Sequence, residues 1–379
     1  MSDPARTRLP ALDVFRGLTV AGMLLVNNPG SWSAIYPPLA HASWHGWTPT
    51  DLIFPFFLFI VGVTTHLSFE ARRTRGSTDA ALVRQVMRRG ALIILCGLLL
   101  ASFPWFPLTR ITEVRLPGVL QRIGLAYLVA GFIILRTTWR QQVVILAALL
   151  LGYWALMTLV PVPGYGLGPF NLDDPSASLA AWIDRSVFGT HVWRSAKTWD
   201  PEGLLSTLPA IGTVLCGSFV GQWLGTRRPL PDQLLALACV GSLAMVAGLM
   251  WHWVFPINKS LWTSSYVVFT AGMGAVALAT CTWLVDVLGI TSWAAPFHWF
   301  GRNPMIAFLG SGAMARLLGS IITVPVDGAP VPLQRVIYDH GFASWLAPRN
   351  ASLLYAITFV ACWGGILYLL DRRRVYFKV

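Results

Sequence analysis

His41 and Asp51 bracket the string His41-Ala42-Ser43-Trp44-His45-Gly46-Trp47-Thr48-Pro49-Thr50-Asp51, which is wedged between two strongly apolar runs. A neutral imidazole accepts a proton near pH 7, and a carboxylate beside it orients the ring and steadies its protonated form. Ionisable side chains at a membrane edge are costly to keep there, so they are candidates for function. His41 and His45 have the His-x-x-x-His spacing of a metal pair, but Ala42 stands where a zinc protease would carry Glu. Nothing nearby supplies a third ligand, and no metal is expected. General base chemistry needs one histidine and one carboxylate, and this segment offers both.

Other polar islands interrupt the apolar pattern. In Leu12-Asp13-Val14-Phe15-Arg16-Gly17, Asp13 and Arg16 share a helical face and can pair, either structurally or around a ligand. Arg122, in Leu116-Pro117-Gly118-Val119-Leu120-Gln121-Arg122-Ile123-Gly124, lies inside an apolar run, where its charge requires an anion or a carboxylate. Asp200 to Pro209 and Phe255 to Thr263 each enter a further run, and Phe300-Gly301-Arg302-Asn303-Pro304 sits near the inner end of the ninth. Four of these islands fall at outer ends of apolar runs, which implies one cavity open to the outside. The chain has no P-loop, no dinucleotide fingerprint in a strand–helix context and no Gly-x-Ser-x-Gly elbow. ATP-driven transport and hydrolase chemistry thereby lose their main support.

The elements that must carry these groups are membrane helices. Hydrophobic residues make up 55% of the chain and charged residues 12%, against about 25% charged in a soluble domain. Only helices or closed barrels satisfy the backbone in lipid, and the continuous apolar runs lack the alternation of barrel strands. The expected fold is an all-α polytopic membrane protein of about ten transmembrane helices, near 11–28, 51–69, 90–104, 117–135, 142–160, 204–224, 232–251, 262–285, 297–319 and 350–370. With the N-terminus cytoplasmic, sixteen of the 28 basic residues fall on inside segments and eight on the longer outside ones. The positive-inside rule thus accounts for the net charge of +12 without a nucleic-acid partner and places the C-terminus inside as well. Arg16 within the first run, and the lack of a cleavage site after it, mark a retained span instead of a signal peptide. The five cysteines all fall in spans and read as packing residues.

One transmembrane domain fills residues 1–379, with non-cytoplasmic loops near 29–50, 161–203 and 320–349. The loop at 161–203 sets Tyr165, Trp182, Trp193 and Trp199 among Asp173, Asp174, Asp184 and Asp200. Aromatic faces beside carboxylates suit a sugar; an interfacial aromatic belt is the structural alternative.

These islands resemble the heparan-α-glucosaminide N-acetyltransferase family, including its shorter bacterial relatives. The resemblance rests on Asp13 to Gly17, His41 to Trp44, Asp51-Leu52-Ile53-Phe54-Pro55, Leu116 to Arg122, Asp200-Pro201-Glu202-Gly203-Leu204, Pro256 to Trp262 and the tail Tyr376-Phe377-Lys378. It implies acetyl transfer from acetyl-CoA to the amine, or a hydroxyl, of an amino sugar such as a terminal glucosamine on the non-cytoplasmic side. The family's active-site histidine falls on His41 and its Asp partner on Asp51. Position 45 is His where the animal pattern has Asn, so His45 inherits no role. The lysosomal members carry an additional N-terminal luminal segment that this sequence does not show, and processing of that kind is not expected.

On this reading His41 takes the proton of the attacking amine, or forms an acetyl-histidine, and Asp51 orients it; sequence leaves both routes open. Asn258 is a candidate oxyanion donor. Arg122, Lys259, Arg302 and Asn303 are candidates for holding acetyl-CoA, or simply solvate helix ends. Asp200, Glu202, Trp44 and Trp262 are candidates for the acceptor. The partners implied are the acceptor glycan, the bilayer and a permitted homodimer. An amino-sugar permease is the alternative, although no inverted repeat is visible. The 25 arginines against three lysines, with no targeting segment ahead of the first run, point to a bacterial inner membrane.

Overall fold

The computed structural model describes residues 9–105 and 114–377, the side chains of 169 and 170 excepted. Arg6, Arg8 and Arg110, which enter the charge distribution above, and Lys378 of the tail string lie outside the described residues. In chain order the helices are α1 (Pro10–Asn27), α2 (Ile53–Arg73), α3 (Asp79–Ser102), α4 (Val119–Arg136), α5 (Trp139–Leu159), α6 (Leu179–Phe188), α7 (Thr207–Leu224), α8 (Leu230–His252), α9 (Ser264–Thr282), α10 (Ala295–Arg302), α11 (Pro304–Arg316), α12 (Leu333–Tyr338) and α13 (Pro348–Arg372). Two small antiparallel hairpins interrupt them, β1 (Pro161–Val162) with β2 (Gly166–Leu167) and β3 (Thr323–Val326) with β4 (Ala329–Pro332).

Among the described residues, nine helices are long and apolar enough to cross a membrane. The expected set was ten. Of the ten expected spans, the one outside the nine is α1, which forms over the expected residues but has its apolar run diluted by Asp13, Arg16 and Asn27. The expected ninth span, 297–319, is broken at Asn303-Pro304 into α10 and α11, since proline lacks the N–H needed to continue the ladder. Only the part from Pro304 to Ile321 keeps the length and apolarity of a span. α3 starts well before its expected position, because the polar first turns of 79–89 carry helix-forming Ala, Arg and Gln even though they are not apolar.

The chain divides into two compact units. The first comprises described residues 9–41, 48–54 and 277–377. Within it α1 packs along α10 and contacts α11 and α13. The α1–α10 crossing is set by glycine: a Cβ on Gly17 would lie 1.8 Å from the Phe297 carbonyl oxygen, and one on Gly301 would lie 1.9 Å from that of Asp13. Any side chain there would force the helices apart.

The second unit comprises described residues 42–47, 55–105 and 114–276. Here α3 packs on α4, and both α4 and α5 pack on α7. α7 is apolar on all sides and 72% of its span is buried, against 22% for α3, α5 and α8. α7 is therefore the core helix, and the other three present broad apolar faces outward.

Candidate functional site

The first unit carries the histidine–carboxylate pair. Asp51 lies in a short helical turn, Pro49–Leu52, that leads into α2. Thr48 caps this turn, and Asp51 closes a capping box by accepting the Thr48 backbone N–H at 3.0 Å through Oδ2. The Thr48 hydroxyl donates to the Ala40 carbonyl at 2.7 Å, fastening the turn to the residue before His41. Asp51 is thereby buried, at 1% exposure, in a place where a helix N-terminus favours negative charge. Its Oδ1 sits 2.7 Å from His41 Nδ1, while the His41 side chain is 47% exposed. A carboxylate can only accept, so Nδ1 carries the proton and the lone pair lies on Nε2. The result is an exposed base with a buried, rigid orienter.

Also in the first unit, Arg302 pairs with Asp371 at 3.0 Å, and Tyr376 donates to the same carboxylate. The Asn303 amide grips the tail from both sides: Nδ2 donates to the Val375 carbonyl at 3.1 Å, and Oδ1 accepts from the Phe377 N–H at 3.3 Å. Asp371 and neighbouring charges raise the Arg302 guanidinium above its ordinary pKa. Arg302 and Asn303 hold the C-terminal segment of the chain. Asp13 and Arg16 form the expected i,i+3 pair, and Arg16 donates further to the Gly301 carbonyl.

The second unit collects a buried charge network. Arg115 donates Nε–H to Asp200 Oδ2 at 2.8 Å and its Nη2 reaches both Asp200 and Glu202. Asp200 Oδ1 also accepts from the Glu202 N–H, tying the turn that holds the two carboxylates. Arg122, on the first turn of α4, is 1% exposed. Its Nη2 donates to the Gly203 carbonyl and to Ser206 Oγ, and its guanidinium lies 5.1 Å over the Trp262 ring. Arg122 Nε and Nη1 have no hydrogen-bond partner. Burial would raise the Glu202 carboxyl, but Arg115, Arg122 and Lys259 outweigh it and hold the group below its ordinary pKa. Asp184, on α6, goes the other way: burial pushes it up to about 6, against the N–H it accepts from Leu204.

The same unit fixes the string after His41. Trp44 donates to the Leu172 carbonyl at 2.7 Å and meets Trp199 edge-on, which in turn meets Trp193. His45 Nδ1 faces Asn258 Nδ2 at 3.3 Å, and its Nε2–H donates to Asp173 at 2.9 Å. Asn258 is fully buried, and its Oδ1 accepts from the Leu261 N–H, so much of this amide shapes its own loop.

The structure thus gathers Arg122, Asp200, Glu202 and Trp262, with Lys259 acting on Glu202, and links Trp44 to Asn258 through its neighbour His45. Arg302 and Asn303 belong to the first unit, where they hold Asp371 and the tail. Sequence reasoning passed over Arg115, although it directly precedes the Leu116 string and its Nη2 bridges two adjacent buried carboxylates. It also passed over the bond from His45 to Asp173, which no local spacing could indicate. Among the described residues, no three His, Cys, Asp or Glu side chains gather as a metal site requires.

The family model described as "Heparan-alpha-glucosaminide N-acetyltransferase, catalytic" matches residues 8–248. The chain is 28% identical to the heparan-alpha-glucosaminide N-acetyltransferase of Homo sapiens and 26% identical to that of Mus musculus, in each case over 98% of this chain. It spans 60% of the length of both relatives.

Proposed function

Because the chain belongs to the heparan-alpha-glucosaminide N-acetyltransferase catalytic family, we propose that it is a membrane acetyltransferase that moves the acetyl group of acetyl-CoA to the amine, or a hydroxyl, of an amino sugar. The observation that carries this reading is the His41–Asp51 pair, a half-exposed imidazole 2.7 Å from a buried carboxylate. In the proposed step the amine nitrogen attacks the thioester carbonyl, and His41 Nε2 takes its proton as the C–N bond forms. The C–S bond then breaks, and the CoA thiolate takes up the proton from the imidazolium. Asp51 supports the positive ring throughout. Transfer through an acetyl-His41 is chemically equivalent in its products.

Arg122 and Lys259 are the proposed cations for the donor's phosphates. Arg122 Nε and Nη1, buried and without acceptors, suit an oxygen-rich ligand. Arg302 and Asn303, already engaged by Asp371 and the tail, are proposed to hold the C-terminal segment instead of the donor. Glu202, Asp200, Trp44 and Trp262 are proposed to bind the acceptor, and Asn258 Nδ2 is the remaining candidate oxyanion donor. The proposed topology has ten spans, with α1 as the first, both termini cytoplasmic and His41 outside. The membrane is proposed to be a bacterial inner membrane.

The test is acetyl-CoA consumption by the purified full chain against glucosamine, glucosamine-ended oligosaccharides and murein fragments. At least one acceptor should accelerate CoA release with formation of an acetylated sugar, and His41→Ala should remove that acceleration. No acetylated product from any amino sugar would overturn the reading.

A further inference from the structure

In the second unit, the polar start of α3 runs beside α4, and the two backbones approach closely at Gly90 and Gly124. A Cβ on Gly90 would lie 2.2 Å from Leu128 Cγ, and one on Gly124 would lie 2.9 Å from the Gly90 carbonyl oxygen. The crossing presses Arg89 against Tyr127, with the guanidinium carbon 5.4 Å from the ring centroid. Tyr127 is 3% exposed. Its hydroxyl and the Arg89 Nε–H are both buried, and neither has a hydrogen-bond partner. The phenol oxygen can answer an Arg89 N–H, but a buried donor without an acceptor costs about 1–3 kcal/mol, and the Tyr127 O–H proton still calls for an oxygen that the chain itself does not supply.

The surroundings specify what kind of oxygen. Arg72, Arg75, Arg84 and Arg88 are exposed and make no ion pair among the described residues. The carboxylates of this corner, Glu70 and Asp79, are both engaged by Arg73. Immediately beyond Arg89 the helix turns apolar, and Leu95 and Leu99 stand about half exposed on its surface. Cations at the end of an apolar span, beside an outward apolar face, are arranged as an anionic phospholipid is: charged head, then chains. Basic residues near the membrane surface attract such lipids at about 1 kcal/mol each.

We propose that Arg89 and Tyr127, with Arg72, Arg84 and Arg88 around them, form a headgroup site for an anionic phospholipid whose acyl chains lie along α3. Arg89 Nε–H and the Tyr127 hydroxyl donate to phosphate oxygens, and the exposed arginines supply the surrounding positive field. The site is independent of the proposed acetyl transfer and needs none of its residues.

The test is native mass spectrometry of the full chain purified from nanodiscs of equal phosphatidylglycerol and phosphatidylcholine. The wild type should retain phosphatidylglycerol in clear excess. Arg89→Gln should reduce that excess about fivefold. Tyr127→Phe, which keeps the ring and hence the packing, should reduce it by a smaller factor. Arg227→Gln, between α7 and α8, should leave it unchanged. Equal retention of the two lipids by the wild type, or an undiminished excess in both site variants, would overturn the proposal. Loss of the bound lipid on adding millimolar inorganic phosphate would also overturn it, since the site would then take phosphate without a lipid.

Discussion

The Arg122 guanidinium lies over the Trp262 indole, 5.1 Å from the ring centroid, and both side chains are 1% exposed. Trp262 is held in this position by donating Nε1–H to Thr213 at 3.1 Å. The cation is also near Glu202 and Asp200, so it both answers their charge and seats an aromatic wall. Arg122→Gln should therefore cost stability on the order of 3–5 kcal/mol, as expected when one partner of a buried charge network is removed. Arg122→Lys should recover part of that, since it keeps the charge but not the planar stack. Thermal unfolding in detergent checks both. If Arg122→Gln melts like the wild type, the charge network is not what holds this region.

Arg115 serves two buried carboxylates, so Arg115→Gln leaves Asp200 and Glu202 facing one another. The Glu202 pKa should rise from its depressed position, because Arg115 is the foremost of the cations that lower it. A carboxyl with a depressed folded pKa stabilises the fold above its unfolded pKa, and that stability is lost as pH falls through the folded value. The variant should lose this contribution and melt lower at neutral pH, with less further loss on acidification than the wild type. Parallel melts from pH 3 to pH 7 read this directly.

Asp184 gives the opposite sign. Its pKa rises from 3.8 to about 6 on folding, so the native state holds the proton more tightly between those values. Its contribution is greatest below pH 3.8 and is lost as pH rises through about 6, with a full span of about 3 kcal/mol. Asp184→Asn can still accept from the Leu204 N–H, so it should keep the fold while removing this slope. A variant whose stability falls as steeply as the wild type's between pH 4 and pH 6 would show that another group titrates there.

Hydropathy marked where the apolar helices run, because burying apolar surface in lipid is a property of the segment alone. α6 and the two hairpins were not legible within their loops, since short polar elements leave no apolar period. The break at Asn303-Pro304 was visible as a proline, but its consequence depended on the tail: the Asn303 side chain binds Val375 and Phe377. Asp51 was legible as a partner for His41 from the residue types of the string, and the family resemblance implied the same pair. The capping box that buries it involves Thr48, three residues away, and could have been read from Thr-Pro-Thr-Asp directly. Long-range pairs such as Arg115 with Glu202 carry no signature in one sequence.

The proposed orientation predicts that Ser43 and Ser186, both exposed, face away from the cytoplasm. Ser178, in the same loop as Ser186, is a poor probe because it is buried and caps α6 through Ala181. Cysteines placed at 43 and 186 should react with an impermeant maleimide in intact cells, whereas a cysteine at exposed Arg373 should react only after lysis. Labelling of all three in intact cells would mean that one of α7, α8, α9, α11 and α13, the spans between positions 186 and 373, does not cross.

His41→Ala should abolish acetyl transfer while leaving the melting temperature near that of the wild type, because the ring is half exposed and its partner is held by Thr48. A positioned general base contributes about 10²–10⁴ in rate, and the variant should fall by that factor. Asp51 can be divided into its two tasks. Asp51→Asn can still accept from the Thr48 N–H, so the turn should survive, but it cannot support an imidazolium; its rate should fall while its stability holds. Asp51→Ala loses the capping box too and should cost about 1 kcal/mol of stability on top of the lost rate. His45→Gln is the contrasting change, since His45 is tied to Asp173 and Asn258 and is assigned no proton transfer. Initial rates at matched protein loading, with melts on the same preparations, decide among these. Full activity in His41→Ala alongside a dead His45→Gln would move the base from one histidine of the string to the other.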